Sequence, residues 1–130
     1  MTVALLDTHA FAWAVGQPDR LGPRARSTIE DPSSHLLVSA ASAWELSAKV
    51  RLGRFAEAEP LVAQWGSVVA ELGAEPLPIT AAHALRAGGL TWTQRDPFDR
   101  MLAAQALLEH AVLITRDEAF TALGGIDIVW

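Results

Sequence analysis

Three short apolar runs, Val3-Ala4-Leu5-Leu6, His35-Leu36-Leu37-Val38 and Ala111-Val112-Leu113-Ile114-Thr115, are each followed by a stretch that reads as a helix. That alternation constrains the chain more than any other feature. Parallel strands need crossover connections, so strands alternating with helices predict a mainly parallel sheet with helices on both faces. Runs that are apolar throughout, rather than at every second position, fit strands covered on both sides. With 51% hydrophobic residues in a chain of 130, there is material for one core, and residues 1–130 are read as one α/β domain.

The elements follow in order. Val3–Leu6 is a first strand that delivers Asp7 at its carboxyl end, and His9 to Val15 is the helix after it. Arg24 to Glu30 is a short polar helix, His35–Val38 a second buried strand, and Ser39 to Leu52 a helix stopped at Gly53. Leu61, Trp65, Val68, Val69 and Leu72 recur at helical spacing and predict one helix from Phe55 to Leu72. Glu75-Pro76-Leu77-Pro78-Ile79 has too much proline for a central strand and belongs at an edge or in a connector. Thr80 caps a helix to Ala87, which Gly88-Gly89 ends. Asp96, Pro97 and Asp99 then read as N-cap, N1 and N3 of a buried helix reaching Leu108. Strand Ala111–Thr115, a short helix Glu118 to Leu123 and a closing strand Ile126–Trp130 complete the chain.

Fifteen acidic residues against ten Lys and Arg give a formal charge of −5, opposite to the usual footprint of a nucleic-acid binder. An acidic chain can still act on nucleic acid if its acids are gathered to hold metal ions. The lack of cysteine excludes disulfides, thiolate nucleophiles and thiolate metal sites, and fits a reducing cytoplasm. The amino terminus has no basic segment and meets an acid straight after its short apolar run, so neither a signal peptide nor a membrane span is expected. His9, His35, His83 and His110 include no pair at metal-ligand spacing, which argues against zinc.

The acids carry the chemistry. Asp7 follows strand one, Glu45 lies inside the helix after strand two, Asp96 and Asp99 open the long helix, and Asp117 follows the strand ending in Thr115. Each has an ordinary structural role available: Asp7, Asp96, Asp99 and Asp117 as caps, and Glu45 as the partner of Lys49 one turn on. A parallel sheet, however, presents its ligand site beyond the carboxyl ends of its strands, where Asp7 and Asp117 fall. Carboxylates gathered there repel one another unless a cation is present. Hard divalent ions such as Mg²⁺ or Mn²⁺ prefer oxygen ligands, and metal-assisted phosphodiester hydrolysis is the chemistry such a set suits.

Four blocks of the chain resemble those of a PIN domain, and in particular the VapC-type toxins of bacterial toxin–antitoxin pairs. They are Leu5-Leu6-Asp7-Thr8-His9, Ser39 to Gly53 with Glu45, Arg95-Asp96-Pro97-Phe98-Asp99-Arg100-Met101-Leu102-Ala103-Ala104-Gln105-Ala106, and Leu113-Ile114-Thr115-Arg116-Asp117 with Phe120. The resemblance implies an α/β/α sandwich and a Mg²⁺- or Mn²⁺-dependent RNA endonuclease with a metal-activated water as nucleophile. It implies Asp7 and Asp99 as metal-binding acids, Glu45 as an acid that binds or orients the metal, and Asp117 as the fourth member. Asp96 matches an acid of one subgroup, here read as the helix cap, and Thr115 a hydroxyl near the site. Many subgroup members carry His just before the Arg-Asp-Pro block, where this chain has Gln94. A cognate antitoxin and a homodimer are the partners implied.

Lys49, Arg51 and Arg54 form the main basic cluster and, with Arg95, are candidates for RNA phosphates. Arg95, Arg100 and Arg116 flank acids and would either balance them or grip substrate. Of the tryptophans, Trp44 and Trp65 sit in apolar helical patterns and are read as core, whereas Trp92 is the candidate for stacking on a base. Two other classes compete. An aspartyl-phosphate phosphoryl-transfer domain would need a second acid beside Asp7 or a lysine at a later strand end, but Lys49 is the sole lysine. A catalytically silent interaction module would have lost acids that are all present.

Overall fold

The computed structural model describes residues 1–130. Five strands, β1 (Val3–Leu6), β2 (His35–Ser39), β3 (Ala74–Leu77), β4 (Val112–Ile114) and β5 (Ile128–Val129), form one sheet in the order β3-β2-β1-β4-β5, and every pairing is parallel. The helices are α1 (Thr8–Gly16), α2 (Pro23–Glu30), α3 (Ala40–Arg51), α4 (Glu59–Ala63), α5 (Trp65–Glu71), α6 (Ala81–Gly89) and α7 (Pro97–Leu108), with 3₁₀ turns at Pro18–Arg20, Ala56–Ala58 and Glu118–Leu123.

Side chains alternate across a strand, so the sheet divides its own residues between two cores. Ala4, Leu6, Leu36, Val38 and Ile114 point to one face, where Ala10 and Phe11 of α1, Leu46 of α3 and Val68 and Val69 of α5 cover them. Leu5, Leu37, Leu77 and Leu113 point to the other, against Leu102, Ala103 and Ala106 of α7. This is the α/β/α sandwich expected. β1 sits at the centre with parallel neighbours on both sides, so the residue leaving its carboxyl end, Asp7, emerges in the middle of the sheet's ligand-facing edge.

One buried polar network ties the layers together. The Ser39 hydroxyl caps α3 by accepting from the Ala41 N–H (2.9 Å) and donates to Oε1 of Gln105 on α7 (2.5 Å). Gln105 Nε2 donates to the Pro78 carbonyl (3.2 Å) and lies 3.3 Å from His83 Nδ1. The helix carrying Glu45 and the helix carrying Asp99 are thereby fixed to each other.

Three expectations need correction. The stretch from Phe55 to Leu72 is not one helix but a 3₁₀ turn and two short helices, α4 and α5. Pro60, which cannot donate and is tolerated only in a first turn, sits there in α4, and Gln64 leaves helical geometry at φ −123° and ψ 35°. Trp44 is not core: it is 61% exposed. The buried face of α3 is Ala41, Ser42, Glu45 and Leu46, so the acid rather than the aromatic turns inward, and Trp44 packs edge-on against Phe98 at the start of α7 (4.7 Å between centroids). The closing strand shrinks to Ile128–Val129. β3 occupies an edge, as its prolines required.

Candidate metal-dependent active site

Four of the five acids sit at the starts of three helical elements. Asp7 is the N-cap of α1 and accepts from the Ala10 N–H (2.7 Å). Asp96 is the N-cap of α7 and accepts from the Phe98 N–H (2.8 Å), and Asp99 sits one turn further on. Asp117 caps the last 3₁₀ turn through the Ala119 N–H (2.9 Å). Helix starts favour negative charge, which offsets part of the cost of gathering carboxylates there.

Glu45 is the exception, a buried carboxylate in a helix interior. It accepts from the Thr8 hydroxyl at 2.6 Å, and the Lys49 ammonium pairs with its other oxygen at 2.8 Å. Thr8 also lies 3.0 Å from the Ser42 hydroxyl. A buried charge is tolerated only when paired and hydrogen-bonded, and Glu45 is both.

These acids line one cleft of about 420 Å³, whose wall includes Asp7, Glu45, Asp96, Asp99 and Asp117 together with Thr8, His9, Lys49 and Arg116. Of the cluster Lys49, Arg51 and Arg54, Lys49 alone lines it, while Arg51 at the end of α3 and Arg54 just beyond it lie exposed. Arg95 lines a separate, shallower concavity with Trp92 and Gln94. Arg100 neither balances an acid nor faces the cleft: its guanidinium is spent on backbone carbonyls. Arg116 reaches the cleft and also stacks on Trp13 (4.7 Å). Trp92, the stacking candidate, is half-buried against Phe120 (5.4 Å).

Thr8 and His9 were not singled out as site residues by sequence reasoning. Thr8 was visible only as a neighbour of Asp7, and its aim at Glu45 depends on how α1 and α3 pack. His9 lies between Trp13 and Phe55 (centroids at 5.6 and 5.7 Å), and burial, then the Lys49 charge, hold its pKa below the usual value. The imidazole is therefore neutral near pH 7.

The acids disturb one another. Asp99 is pushed up to about 7, first by burial and then by the charges of Asp96, Glu45, Asp117 and Asp7. Asp7 is also raised, because burial outweighs the Thr115 hydroxyl and the Ala10 N–H that favour its charged form. The Thr115 hydroxyl accepts from the Asp117 N–H (3.0 Å). The donor set is all oxygen, and its repulsion is of the kind a cation relieves, so the residues fit Mg²⁺ or Mn²⁺. No three of the carboxylates stand close enough together to enclose an ion.

A carboxyl whose pKa in the fold lies above its unfolded value destabilises the fold once it ionises. In metal-free protein, the stability of wild type relative to Asp99→Asn is therefore expected to fall as pH rises from about 4 to about 7, the interval between the two Asp99 values. Melting curves of both proteins at about pH 5 and about pH 7.5 check this. A difference that stays constant, or that favours wild type more at the higher pH, would contradict it.

The PIN domain family model matches residues 4–126. Ribonuclease VapC22 of Mycobacterium tuberculosis is 32% identical over 121 residues, covering 90% of this chain and 88% of that protein. Ribonuclease VapC16 of the same organism is 34% identical over 74 residues, 55% of this chain and 52% of that one. The fold is similar to a chain of the Rickettsia felis VapBC2 complex bound to a promoter DNA fragment (TM-score 0.69, 16% identity, 98% and 97% of the two chains). It is also similar to one in a Klebsiella pneumoniae toxin–antitoxin complex (TM-score 0.60, 19% identity, 95% and 94%). With its parallel sheet, its four acid-bearing blocks in order and a match over nearly its whole length, the chain belongs to the PIN-domain family and to its VapC group.

Proposed function

We propose that this protein is a divalent-metal-dependent endoribonuclease that acts as the toxin of a toxin–antitoxin pair. The observation that carries the reading is the single cleft onto which four separated segments bring Asp7, Glu45, Asp99 and Asp117. The substrate class is supported by relatives named as ribonucleases, and the antitoxin partner by similar folds solved in toxin–antitoxin complexes.

Asp7 and Asp99 are the residues that would hold the ion, with Glu45 and Asp117 completing the acidic wall. Bound there, Mg²⁺ or Mn²⁺ neutralises charge on a phosphodiester and lowers the pKa of a water enough for hydrolysis. The chain's own work is orientation. The Ala10 N–H holds the Asp7 carboxylate, whose charged form the nearby Thr115 hydroxyl favours, and Thr8 and Lys49 hold Glu45. Lys49 and Arg116 put positive charge on a cleft otherwise lined by acids, and so offer contacts to RNA phosphates. Arg51, Arg54 and Arg95, outside the cleft, are available to flanking phosphates. No helix is long and apolar enough to cross a membrane. We place the activity in the cytoplasm and assign a cognate antitoxin and a homodimer as protein partners.

Purified protein is expected to cut RNA with Mg²⁺ or Mn²⁺ and to stop in EDTA, and its induction to arrest growth unless the antitoxin is co-expressed. A gel-based cleavage assay with metal removal and re-addition checks the first point. Cleavage that persists in EDTA would overturn the metal-dependent reading, and an unaffected host would count against toxin action.

A further inference from the structure

The loop between α6 and α7 is held by one side chain. Arg100, in the first turn of α7, donates from Nε to the Ala87 carbonyl (3.0 Å), from Nη2 to Leu90 (2.7 Å), and from Nη1 to Trp92 (3.1 Å) and Gln94 (2.9 Å). A guanidinium has five N–H groups in a rigid fork, and most of them are used here on backbone oxygens. Ala87 and Leu90 lie at the end of α6, where carbonyls lack helical partners and a cation is favoured. Trp92 and Gln94 lie beyond the helix, and their capture fixes the path of the chain into the acidic turn.

That path ends on Gln94. Its Oε1 accepts from the N–H groups of Arg95 (3.0 Å) and Asp96 (3.2 Å), and its Nε2 donates to Oδ2 of Asp99 (3.2 Å). Two backbone donors require the amide oxygen on their side, so the NH₂ group faces the carboxylate. No other hydrogen bond reaches the Asp99 carboxylate, which leaves Gln94 as the group that sets its orientation.

We infer that Gln94 is a positioning residue for Asp99, and that Arg100 acts on the site by positioning Gln94. The inference rests on the reading of Asp99 as a metal ligand. A partner that orients a ligating side chain typically contributes about 10- to 100-fold in metal affinity, and that is the effect assigned to Gln94.

The test is Mn²⁺ affinity of the intact protein, by calorimetry or electron paramagnetic resonance, for wild type, Gln94→Met, Arg100→Lys, their double variant and Asp99→Asn, with melting temperatures alongside. Gln94→Met keeps the length of the side chain and removes both the donor to Asp99 and the acceptor for the Arg95 and Asp96 N–H groups, whose partners water can replace at this partly exposed turn. It is expected to weaken Mn²⁺ binding about 10- to 100-fold with little change in melting temperature. Lysine cannot span four carbonyls, so Arg100→Lys should weaken binding as well, and the double variant should bind no worse than Gln94→Met alone. Unchanged affinity in Gln94→Met would overturn the inference, and additive losses in the double variant would overturn the role of Arg100. If Arg100→Lys does not fold, Gln94→Met alone decides the first point. Asp99→Asn separates the two levels. If it too binds Mn²⁺ like wild type, the metal-ligand reading has failed; if it loses Mn²⁺ while Gln94→Met does not, only the positioning role has.

Discussion

Asp99→Asn will lower RNA cleavage by about 10³-fold or more and, in the absence of metal, will melt at a higher temperature than wild type. On the proposed reading of Asp99 as a metal ligand, the loss follows from removing a ligand of an ion whose stabilisation of transition-state charge amounts to several kcal/mol, at about 1.4 kcal/mol per tenfold. The gain follows from the position of Asp99 among Asp96, Glu45, Asp117 and Asp7, whose charges, together with burial, push its pKa up to about 7. Asparagine fills nearly the same volume, can accept from Gln94 in place of the carboxylate, and carries no charge to repel. Asp7→Asn should lose activity to a similar degree, since Asp7 projects from the central strand into the same cleft. Cleavage rates at saturating Mg²⁺ and melting curves in EDTA at about pH 7.5 are the measurements. Asn variants that cut as well as wild type would mean that the activity lies elsewhere or in a contaminant. An Asp99→Asn protein that melts lower would refute the repulsion argument while leaving the ligand assignment open to the cleavage result.

Phe11→Ala will cost about 3–5 kcal/mol of stability, a large share of the roughly 5–15 kcal/mol that a domain commands. Phe11 is fully buried on the face of the sheet covered by α1 to α5, and its ring lies 4.9 Å from that of Trp65. Truncation leaves a hole bounded by strand residues that cannot move without breaking parallel pairing on both sides of β1. Phe11 also anchors α1, whose first turn carries Thr8 and His9 behind the Asp7 cap, so the variant should lose cleavage faster than it loses secondary structure on warming. Urea unfolding at constant slope gives the stability difference directly. A cost below about 1 kcal/mol would mean that the α1 face collapses around the gap far better than cores of this packing usually do.

Much of the architecture was legible because the physics that sets it is local. Val3–Leu6, His35–Val38 and Ala111–Thr115 carry their own strand signal, and parallel pairing follows from the helices between them. Asp7, Asp96 and Asp117 were placed at helix starts by capping chemistry, and each does cap there in the structure. What periodicity could not show was rotation. In α3 an apolar pattern reads equally well with Trp44 inward, and only packing against α1 reveals that Glu45 turns in to meet Thr8. The break between α4 and α5 was hidden because Leu61, Trp65, Val68 and Leu72 keep helical spacing across it. Arg100 was illegible for a different reason. A cation among carboxylates invites an ion pair, and nothing in the sequence announces that four carbonyls of one loop will converge on it instead.

The central claim is that the acids of this cleft hold a divalent ion for RNA cleavage. Crystals grown with Mn²⁺, with diffraction recorded at the manganese absorption edge, test it most directly. The account predicts an anomalous peak in the cleft, in contact with the carboxylates of Asp7 and Asp99, that disappears in crystals of Asp99→Asn. An empty cleft, or a peak bound elsewhere on a protein that cuts RNA under the same conditions, would contradict it.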